Sequence, residues 1–410
     1  MRMELRLVLA GAVLSILMVG GCRAPQKKAE IVDYGRPLPP GELALRKITD
    51  SAMMPDLTFA CYETLELRSA ITNSLNYLNK QTSKRFYPYG NITHAHAAAS
   101  LEAFGQMLDS GLYGRDLARE IQSRFDIYIS VGCDNRGTVL FTGYYTPIFD
   151  GSLERTGRFQ YPLYKQPADL VKGDDGAILG RREADGTYTP YASRAQLENS
   201  GQLKGLELAW LGDPFEVYVA QVQGSAKIRL ANGELVTVGY AANNGHEYRS
   251  VGQELIRDGK ISSGGLSLKA MIDYFKAHPQ EVDSYILRNP RYVFFQKSAG
   301  APHGSLNEPV TTMRTIATDK SIYPRGCLAF FSTRLPGAGG SYISQREFTG
   351  FVLDQDTGGA IRAPGRCDIY MGEGDLAGDR AGHTYQEGKL YYLFLKSSDT
   401  TSPGGMPTGS

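Results

Sequence analysis

Five carboxylate side chains lie in one glycine-rich stretch near the C-terminus, residues 355–382 (QDTGGAIRAPGRCDIYMGEGDLAGDRAG). They are Asp356, Asp368, Glu373, Asp375 and Asp379. Carboxylates among glycines could form a metal loop, a phosphate cradle, a solvated turn or the acid of an enzyme. The calcium-loop spacing D-x-[DN]-x-[DN]-G is absent, which disfavours the metal loop. The other interpretations depend on the elements that hold these residues.

The phosphate interpretation rests on residues 372–377 (GEGDLA), which match G-x-G-x-x-A after a strand-like run. A dinucleotide site needs a helix next, with its N-terminus toward the pyrophosphate. The following residues, LAGDRAG, are interrupted by glycines, so we predict a loop here. Glu373 and Asp375 would also repel a phosphate. The sequence therefore disfavours a dinucleotide site.

The acid interpretation centres on Asp368, in a run typical of a strand, residues 366–371. Side chains alternate along a strand, so Asp368 and Tyr370 share one face and the apolar residues between them share the other. An aspartate with apolar neighbours is desolvated, which raises its pKa and keeps it protonated near neutral pH. A group that donates a proton to a leaving oxygen has this requirement. The alternative is an aspartate that only accepts hydrogen bonds from loop amides.

The elements around these residues change type along the chain. Apolar residues recur at helical spacing around 67–78, 101–108 and 117–125, which predicts three amphipathic helices. Two more helices are predicted at 249–258 and 267–277. From residue 138 on, strand-like runs lie at 139–147, 215–225, 227–240, 292–295, 327–331, 348–353, 368–371 and 390–396. Asn232-Gly233 indicates a hairpin, because both central residues of such a turn need a positive φ.

The N-terminus, MRMELRLVLAGAVLSILMVGGC, is typical of a secretory signal peptide. Its apolar run is too short to span a membrane. The two glycines before Cys22 resemble a bacterial lipobox, so cleavage would leave Cys22 as a lipid-carrying first residue with durable anchoring. Arg23 stands where an aspartate would retain the protein in the inner membrane, which favours the periplasmic face of the outer membrane. The alternative is a soluble secreted protein that is cut nearby.

The composition predicts about two domains, because the chain of 410 residues is too long for one ordinary core. Its formal net charge of +1 gives no indication of nucleic-acid binding. Twenty-five tyrosines against one tryptophan suit a β-rich protein with a polar, extended ligand. Besides Cys22 there are four cysteines without C-x-x-C spacing, which we interpret as buried thiols or one disulfide.

Several motifs together resemble the MltA-type membrane-bound lytic murein transglycosylases. DTGGAI (356–361) and DIYMG (368–372) resemble the three-aspartate barrel domain of that family. The remaining motifs are FTGYYTP (141–147), VQGSAKIRL (222–230), GYAANNGHEYRSVG (239–252), NPRYVFF (289–295) and YPRGCLAFF (323–331). The resemblance covers about residues 135–396.

The resemblance implies a fold class that is mainly β with N-terminal helices. A double-psi β-barrel domain is interrupted by an inserted, β-rich domain, and a groove between the two takes a glycan strand. The predicted divisions are a signal peptide (1–21), a Pro-rich tether (22–45), the barrel domain with helices (46–147 and 301–398), the inserted domain (148–300) and a disordered tail (399–410).

The resemblance also implies the chemistry. Asp368 corresponds to the catalytic acid and Asp356 to its neighbour in the barrel, while Asp375 or Asp379 is the third aspartate. The acid protonates the glycosidic oxygen between N-acetylmuramic acid (MurNAc) and N-acetylglucosamine (GlcNAc). It then takes a proton from the C6 hydroxyl of MurNAc, which closes a 1,6-anhydro ring. No metal or organic cofactor is implied, and protein partners in the cell wall remain unidentified.

Candidate residues for binding sugars carry amide, hydroxyl or aromatic groups on the β-type runs. They are Thr142, Tyr144, Gln223, Ser225, Tyr240 and Tyr370. Each has the alternative of a structural hydrogen bond within its own hairpin. Arg362, near a glycine pair, would either steady developing charge or pair with Asp356.

Two other functions remain open from the sequence. One is a glycoside hydrolase on the same scaffold that uses Asp368 together with Asp356 or Asp379, since hydrolysis needs two carboxyl groups. The other is a lipoprotein that binds peptidoglycan without cleaving it.

Overall fold

The structure is a computed structural model that describes residues 32–173, 176–262, 265–337 and 345–397. The predicted signal peptide, the predicted lipidation site Cys22 and the predicted tail lie outside these ranges. Within them, no helix combines the length and the apolar character that a membrane span requires.

Seventeen strands are assigned in the described ranges. They are β1 (Leu45–Lys47), β2 (Phe125–Ser130), β3 (Val139–Thr146), β4 (Ile148–Ser152), β5 (Tyr161–Tyr164), β6 (Leu170–Lys172), β7 (Ile178–Arg182), β8 (Tyr188–Thr189), β9 (Glu207–Leu211), β10 (Ser225–Arg229), β11 (Leu235–Asn243), β12 (Val293–Ser298), β13 (Thr315–Ala317), β14 (Leu328–Pro336), β15 (Gln345–Asp356), β16 (Arg366–Glu373) and β17 (Tyr385–Leu395).

The α-helices of the described residues surround these strands. They are α1 (Leu67–Leu78), α2 (His94–Asp109), α3 (Gly114–Arg124), α4 (Arg194–Ser200), α5 (Pro214–Gln223), α6 (Val251–Arg257), α7 (Leu268–Ala277), α8 (Val282–Ile286) and α9 (Gly374–Gly382).

The largest sheet has eight strands in the order β1-β2-β17-β14-β15-β13-β16-β3. An additional pairing of β17 with β3 closes its last six strands into a ring. Most neighbours are antiparallel, whereas β3 with β16 and β13 with β15 are parallel. The fold class, mainly β with N-terminal helices and a second β-rich part, is confirmed.

Helices α1, α2 and α3 pack against the ring and share its hydrophobic core. The core is rich in aromatic residues: the ring of Phe104 on α2 lies 5.1 Å from Phe351 on β15. Phe330 on β14 in turn lies 5.4 Å from Phe351. The N-terminal helices therefore support the strands that carry the candidate site.

The chain between β3 and β13 forms a second β-rich part. A six-stranded sheet runs β12-β11-β10-β4-β9-β5, and a small sheet runs β6-β7-β8. Three separate hydrophobic clusters stabilise this part. The predicted domain boundaries at 147/148 and 300/301 stay a prediction. At the N-terminal side, Tyr34 donates a hydrogen bond to Glu387 (2.7 Å) and Leu45 is buried, so the packed body begins before residue 46.

The five predicted helices are confirmed as α1, α2, α3, α6 and α7. The Asn232-Gly233 hairpin is also confirmed, since β10 pairs with β11 in antiparallel register. Its geometry differs from the prediction, because only Gly233 has a positive φ (+85°). The amide of Gly233 donates to the carbonyl of Leu230, and the amide of Leu230 donates to the carbonyl of Glu234 (both 2.9 Å). The loop is therefore longer than a two-residue turn.

The strand predicted at 215–225 is wrong, because most of this segment forms helix α5. Asp213 accepts a hydrogen bond from the amide of Phe215 (2.6 Å), and Pro214 occupies the first turn. Gly224 ends the helix with φ +77°. These start and stop signals outweigh the alternating pattern, because α5 is buried on more than one face.

The loop predicted after residue 374 is also wrong, because residues 374–382 form helix α9. Glycine there permits close packing rather than breaking the helix. A Cβ at Gly378 would lie 2.8 Å from the ring of Tyr145, and one at Gly143 would lie 2.7 Å from the backbone of Ala381. The absence of a helix was therefore a wrong reason to exclude a dinucleotide site. The repulsion of phosphate by Glu373 and Asp375 still stands.

The cysteines Cys61, Cys133, Cys327 and Cys367 are all buried, and no two of them form a disulfide. The structure therefore has buried thiols at these four positions and not the alternative, one disulfide.

Candidate active site

A cleft of about 1810 Å³ lies between the ring and the six-stranded sheet. Thr142 on β3 and Asp368 on β16 line it from the ring, and Tyr240 on β11 lines it from the other sheet. All nine residues predicted for catalysis or sugar binding line this cleft: Asp356, Asp368, Thr142, Tyr144, Gln223, Ser225, Tyr240, Tyr370 and Arg362.

Strand β13 brings the two catalytic candidates to one place. Its Ala317 pairs with Asp356 of β15 on one side and with Asp368 of β16 on the other. Neighbouring strands are about 4.8 Å apart, so the two aspartates are separated by about 10 Å at their backbones. Ala317 is itself a cleft residue with a small side chain, which leaves the space between the carboxylates open.

Asp368 is partly buried and lies opposite Thr142 in the parallel pair β3–β16. The hydroxyl of Thr142 donates to Oδ1 of Asp368. A guanidinium nitrogen of Arg366 donates to the same hydroxyl oxygen (3.2 Å), which directs the Thr142 hydrogen toward Asp368. Oδ2 of Asp368 has no hydrogen-bond partner among the described residues.

Burial raises the pKa of Asp368 to about 6. The nearby charge of Asp356 also raises this pKa, while Arg366 lowers it. Removal from water disfavours the charged form of a carboxyl group, and a neighbouring negative charge has the same effect. Asp368 therefore holds its proton up to about pH 6, as the sequence analysis expected for the acid.

Asp356 ends β15 and accepts more hydrogen bonds than Asp368 does. The amides of Ser305 and Thr357 donate to its Oδ1 (2.8 Å each), and the hydroxyl of Tyr144 donates to its Oδ2 (2.9 Å). Burial raises the pKa of Asp356, and these three donors offset part of that rise. Both of its oxygens are occupied, so Asp356 is a fixed carboxylate.

The two tyrosines predicted to bind sugars lie side by side. Tyr144 and Tyr370 are paired in the β3–β16 register, and their rings are 5.2 Å apart. The hydroxyl of Tyr370 shares a hydrogen bond with the hydroxyl of Thr146 (2.9 Å). Tyr370 is nearly inaccessible to solvent, so its ring supports Tyr144 more than it offers a free face to a ligand.

Gln223 and Ser225 bond to β3 across the two sheets. Oε1 of Gln223 accepts from the amide of Tyr145 (3.0 Å), and the hydroxyls of Ser225 and Thr146 are 3.0 Å apart. These contacts are the structural alternative named above. Gln223 also lines the cleft, and its side-chain amide nitrogen has no hydrogen-bond partner among the described residues.

Tyr240 is the most accessible of the predicted aromatic residues, with 40% of its surface exposed. Asn243 donates to its hydroxyl (2.7 Å) and thereby fixes the ring at the cleft wall. An exposed aromatic face in a fixed position suits stacking against a sugar ring.

Arg362 does not pair with Asp356, so this alternative is wrong. Its side chain is 60% exposed, and its guanidinium lies 3.9 Å from Asp319. Arg362 therefore lines the cleft as an exposed cation and is not a partner of Asp356.

Neither candidate for the third aspartate reaches the cleft. Asp375 and Asp379 lie on α9 and are absent from its described lining. The buried aspartate that the sequence analysis missed is Asp319, which accepts from the amide of Ala363 (2.9 Å) and from Ser321 (2.6 Å). It fixes the loop between Asp356 and β16. The only sequence signal is the Asp-x-Ser spacing, which is typical of an Asx-turn.

A buried ion pair below the cleft was also missed. Lys320 donates to Asp354 and to the hydroxyl of Thr318 (3.0 Å), and Tyr392 donates to Asp354 (2.7 Å). The side chains of the pair are 5% and 0% exposed. Lys320 lowers the pKa of Asp356 against the larger effect of burial. In the described part of the chain, no cluster of His, Cys, Asp or Glu is arranged to hold a metal ion.

The chain is similar in sequence to known proteins. Residues 140–296 match the MltA specific insert domain, and residues 314–394 match the 3D domain. Membrane-bound lytic murein transglycosylase A of Escherichia coli strain K12 is 32% identical over 294 residues, which cover 71% of this chain and 73% of the relative. The chain belongs to the MltA family. The resemblance inferred from the motifs is thereby confirmed.

Other members of the family agree. The Vibrio cholerae membrane-bound lytic murein transglycosylase A is 31% identical over 279 residues, 67% of this chain and 71% of the relative. The crystal structure of E. coli MltA with bound chitohexaose is similar with a TM-score of 0.63, at 26% identity, over 90% of this chain and 97% of that one. The Agrobacterium tumefaciens membrane-bound lytic murein transglycosylase has the same fold, with a TM-score of 0.72 at 24% identity, over 87% and 99%.

Proposed function

We propose that this chain is a lytic murein transglycosylase. It cleaves the β-1,4 bond between MurNAc and GlcNAc in peptidoglycan and leaves a 1,6-anhydro-MurNAc end. Membership of the MltA family supports the reaction class. The bound chitohexaose of E. coli MltA supports a glycan strand as the ligand of the corresponding cleft.

The observation that carries the proposal is the unequal state of two carboxyl groups. Asp356 and Asp368 are the carboxylates among the described lining residues of the cleft. Both oxygens of Asp356 accept hydrogen bonds, whereas Asp368 has a free Oδ2 and a pKa raised to about 6. One acid is therefore ready to donate a proton, and the second carboxylate is engaged. This favours a reaction in which the substrate supplies its own nucleophile.

The first half of the reaction breaks the glycosidic bond. The proton on Oδ2 of Asp368 passes to the oxygen that links C1 of MurNAc to the next sugar. The C1–O bond breaks, and the leaving sugar keeps the proton and the bonding electron pair. Positive charge develops at C1, and the negative charge of Asp356, fixed in place by its three hydrogen-bond donors, lowers the free energy of that state.

The second half forms the new ring. Asp368, now ionised, takes the proton of the C6 hydroxyl while the C6 oxygen forms a bond to C1. The carboxyl group returns to its starting state, and no water is consumed. Because the C6 hydroxyl belongs to the reacting sugar, its effective concentration is high and it needs little activation.

Thr142 and Arg366 position the acid in this scheme. The hydroxyl of Thr142 occupies Oδ1 of Asp368 in both protonation states, so the exchangeable proton stays on Oδ2. Arg366 holds the Thr142 oxygen and limits the rise of the Asp368 pKa. We further assign sugar contacts to Tyr144, Tyr240 and Gln223, and a rim contact to Arg362. The buried residues Ser225 and Tyr370 support these contacts from behind through their hydrogen bonds to Thr146.

We also propose that the protein is anchored through lipid on Cys22 at the periplasmic face of the outer membrane. The two glycines before Cys22 and the arginine after it support this location. The relatives are named membrane-bound. The substrate is then the murein layer within reach of the tether.

Digestion of purified sacculi by the full-length protein in detergent tests the function. We expect mass spectrometry of the products to show muropeptides with 1,6-anhydro ends. Reducing ends instead would support the glycoside hydrolase. Binding to sacculi without any released product would support the non-catalytic lipoprotein.

A further inference from the structure

The cleft carries far more positive than negative charge. Its described lining residues include ten lysines and arginines and two aspartates. The cations are Lys80, Arg85, Lys172, Arg194, Arg291, Lys297, Lys320, Arg325, Arg362 and Arg366. Four of these cations pair with carboxylates outside the lining: Lys80 with Glu308, Arg194 with Glu198, Lys320 with Asp354 and Arg362 with Asp319. The other six still outnumber the two aspartates, whereas the whole chain has a net charge of only +1. Glycan hydroxyl and N-acetyl groups are neutral and do not require such a field.

Two of these cations share one aromatic ring. Arg85 and Phe86 end a short 3₁₀ helix (Gln81–Phe86), and Arg325 precedes β14. The guanidinium carbon of Arg325 lies 3.7 Å from the centre of the Phe86 ring, and that of Arg85 lies 4.9 Å from it. Two guanidinium groups on one ring repel each other, and this repulsion adds to burial in lowering the pKa of Arg325.

No carboxylate of the described chain lies within ion-pair distance of these two arginines. Asp354 raises the pKa of Arg325 through its charge, but its ion pair is with Lys320. Lys80 likewise has a carboxylate partner of its own, Glu308, at 2.5 Å. Arg85 and Arg325 form no ion pair with any described residue. Nε of Arg325 is also buried without a hydrogen-bond partner among the described residues. The hydroxyl of Tyr77 lines the same cleft close to this guanidinium, and Arg325 offsets part of the rise that burial causes in the pKa of Tyr77. Buried polar donors normally have partners, so Nε of Arg325 is a donor that a ligand could satisfy.

The backbone holds Arg325 in place. The hydroxyl of Tyr87 donates to the carbonyl of Arg325 (2.6 Å), and the amide of Gly326 donates to the carbonyl of Asp354 (2.8 Å). Gly326 has φ +73°, and a Cβ there would lie 3.2 Å from the ring of Tyr77. The stacking on Phe86 then restricts the side chain. A cation fixed before its ligand arrives loses less entropy on binding.

We propose that Arg85, Phe86 and Arg325 form a subsite for a carboxylate of the peptide stems on the murein strand. This inference rests on the proposed function for its substrate and adds a preference for strands that still carry their stems. Murein stem peptides hang from the lactyl group of MurNAc and carry free carboxylates. A planar guanidinium binds a carboxylate through two parallel N–H···O bonds, and Phe86 keeps the guanidinium planes accessible.

The test separates binding from catalysis. Asp368→Asn protein in full length and detergent is mixed with two uncut substrates. One is murein strands with stems. The other is the same strands after an amidase has removed the stems and the lactyl carboxylates that this exposes have been converted to neutral amides. We expect about tenfold tighter binding of the stem-bearing strands, which corresponds to two charge-assisted hydrogen bonds in a partly hydrated site. Raising the salt concentration should reduce this preference.

Variants assign the preference to the subsite. Arg85→Gln alters an exposed side chain. It should halve the logarithm of the affinity ratio between the two substrates, from about tenfold to roughly threefold. Arg85→Gln with Arg325→Gln should remove it and leave binding to stem-free strands unchanged. Arg325→Lys keeps the charge but not the planar fork, so we expect an intermediate preference. The matched control is Arg115→Gln with Arg119→Gln on α3, which removes the same charge outside the cleft.

Two results would overturn the inference: equal binding of both substrates by the parent, or a preference that survives in the Arg85→Gln/Arg325→Gln protein with a native melting curve. If the double variant melts early, the Arg85→Gln result alone decides. The inference also fails if both substrates bind equally tightly and both lose affinity in the double variant. The two arginines would then bind an acidic group other than the stem carboxylates. Anhydro products, measured with the native enzyme, report on the proposed function independently of these outcomes.

Discussion

The surroundings of Asp356 and Asp368 differ although both aspartates flank Ala317. Asp356 receives two backbone amides and a tyrosine hydroxyl, whereas Asp368 receives one threonine hydroxyl. Hydrogen bonds to a carboxylate favour its charged form, and their absence favours the neutral form. Two identical side chains on the same ring of strands therefore differ in how firmly their surroundings hold them in the charged form. The difference depends on the local donors rather than on residue type.

The largest effect expected from this comparison is the loss of the acid. Asp368→Asn keeps the shape of the side chain but removes its exchangeable proton. We expect kcat to fall by about 10³-fold or more, since positioned acid–base groups contribute up to about 10⁴-fold. Release of soluble muropeptides measures the change, and sedimentation with sacculi should show that binding persists. Asp375→Asn on α9 is the control, and full turnover by Asp368→Asn would remove the assignment.

The pH dependence of the native enzyme should follow the raised pKa of Asp368. The acid must be protonated to act, and its pKa is about 6. We expect kcat/KM to be level below about pH 6 and to fall about tenfold for each pH unit above it. Initial rates between pH 4.5 and 8 measure this profile. A rate that rises through this interval would mean that a base, and not an acid, limits the reaction.

Asp356→Asn tests the other half of the comparison. It removes the negative charge that stabilises C1. The amide oxygen can still accept from Ser305 and Thr357, whereas the amide nitrogen would face the Tyr144 hydroxyl, which must then accept instead of donate. We expect kcat to fall by about tenfold to a hundredfold, less than for Asp368→Asn. The descending limb of the pH profile should also move to lower pH, because the charge of Asp356 raises the pKa of Asp368. A limb that moves upward would contradict the proposed coupling.

The smallest effect concerns stability. The folded-state pKa of Asp368 lies above its unfolded value of about 3.9, so the group favours the folded state most below pH 4 and loses that contribution as the pH rises through about 6. We expect Asp368→Asn to gain about 2 kcal/mol relative to the native protein at pH 8 and almost nothing at pH 4. Denaturant unfolding at both pH values measures this. If the two proteins differed by the same free energy of unfolding at pH 4 and at pH 8, the pKa of Asp368 would not be raised by folding.

Local patterns predicted the strand that carries the proposed acid, because its alternation is encoded in consecutive residues. Alternation along 366–371 placed Asp368 on the face opposite to Cys367 and Ile369, and the structure buries both of these in the core. The helices α1, α2 and α3 were likewise predictable, because each has one apolar face against the ring.

Other features depend on contacts that a sequence does not display. Helix α5 is buried on several faces, so its apolar spacing imitates a strand. Helix α9 uses glycines to approach β3, although glycine usually indicates a loop. The donors of Asp356 come from separate segments of the chain, and Arg325 meets Phe86 only after folding. The difference between the two aspartates could therefore be assigned only from the structure.

Product analysis in ¹⁸O-labelled water tests most directly whether Asp368 acts with the substrate's own hydroxyl. Purified sacculi are digested by the full-length protein in H₂¹⁸O, and the new ends are analysed by mass spectrometry. We expect 1,6-anhydro ends that contain no ¹⁸O, because the C6 oxygen attacks C1 and no water enters the product. Reducing ends that carry ¹⁸O at C1 would contradict this mechanism and would assign to Asp356 the activation of water.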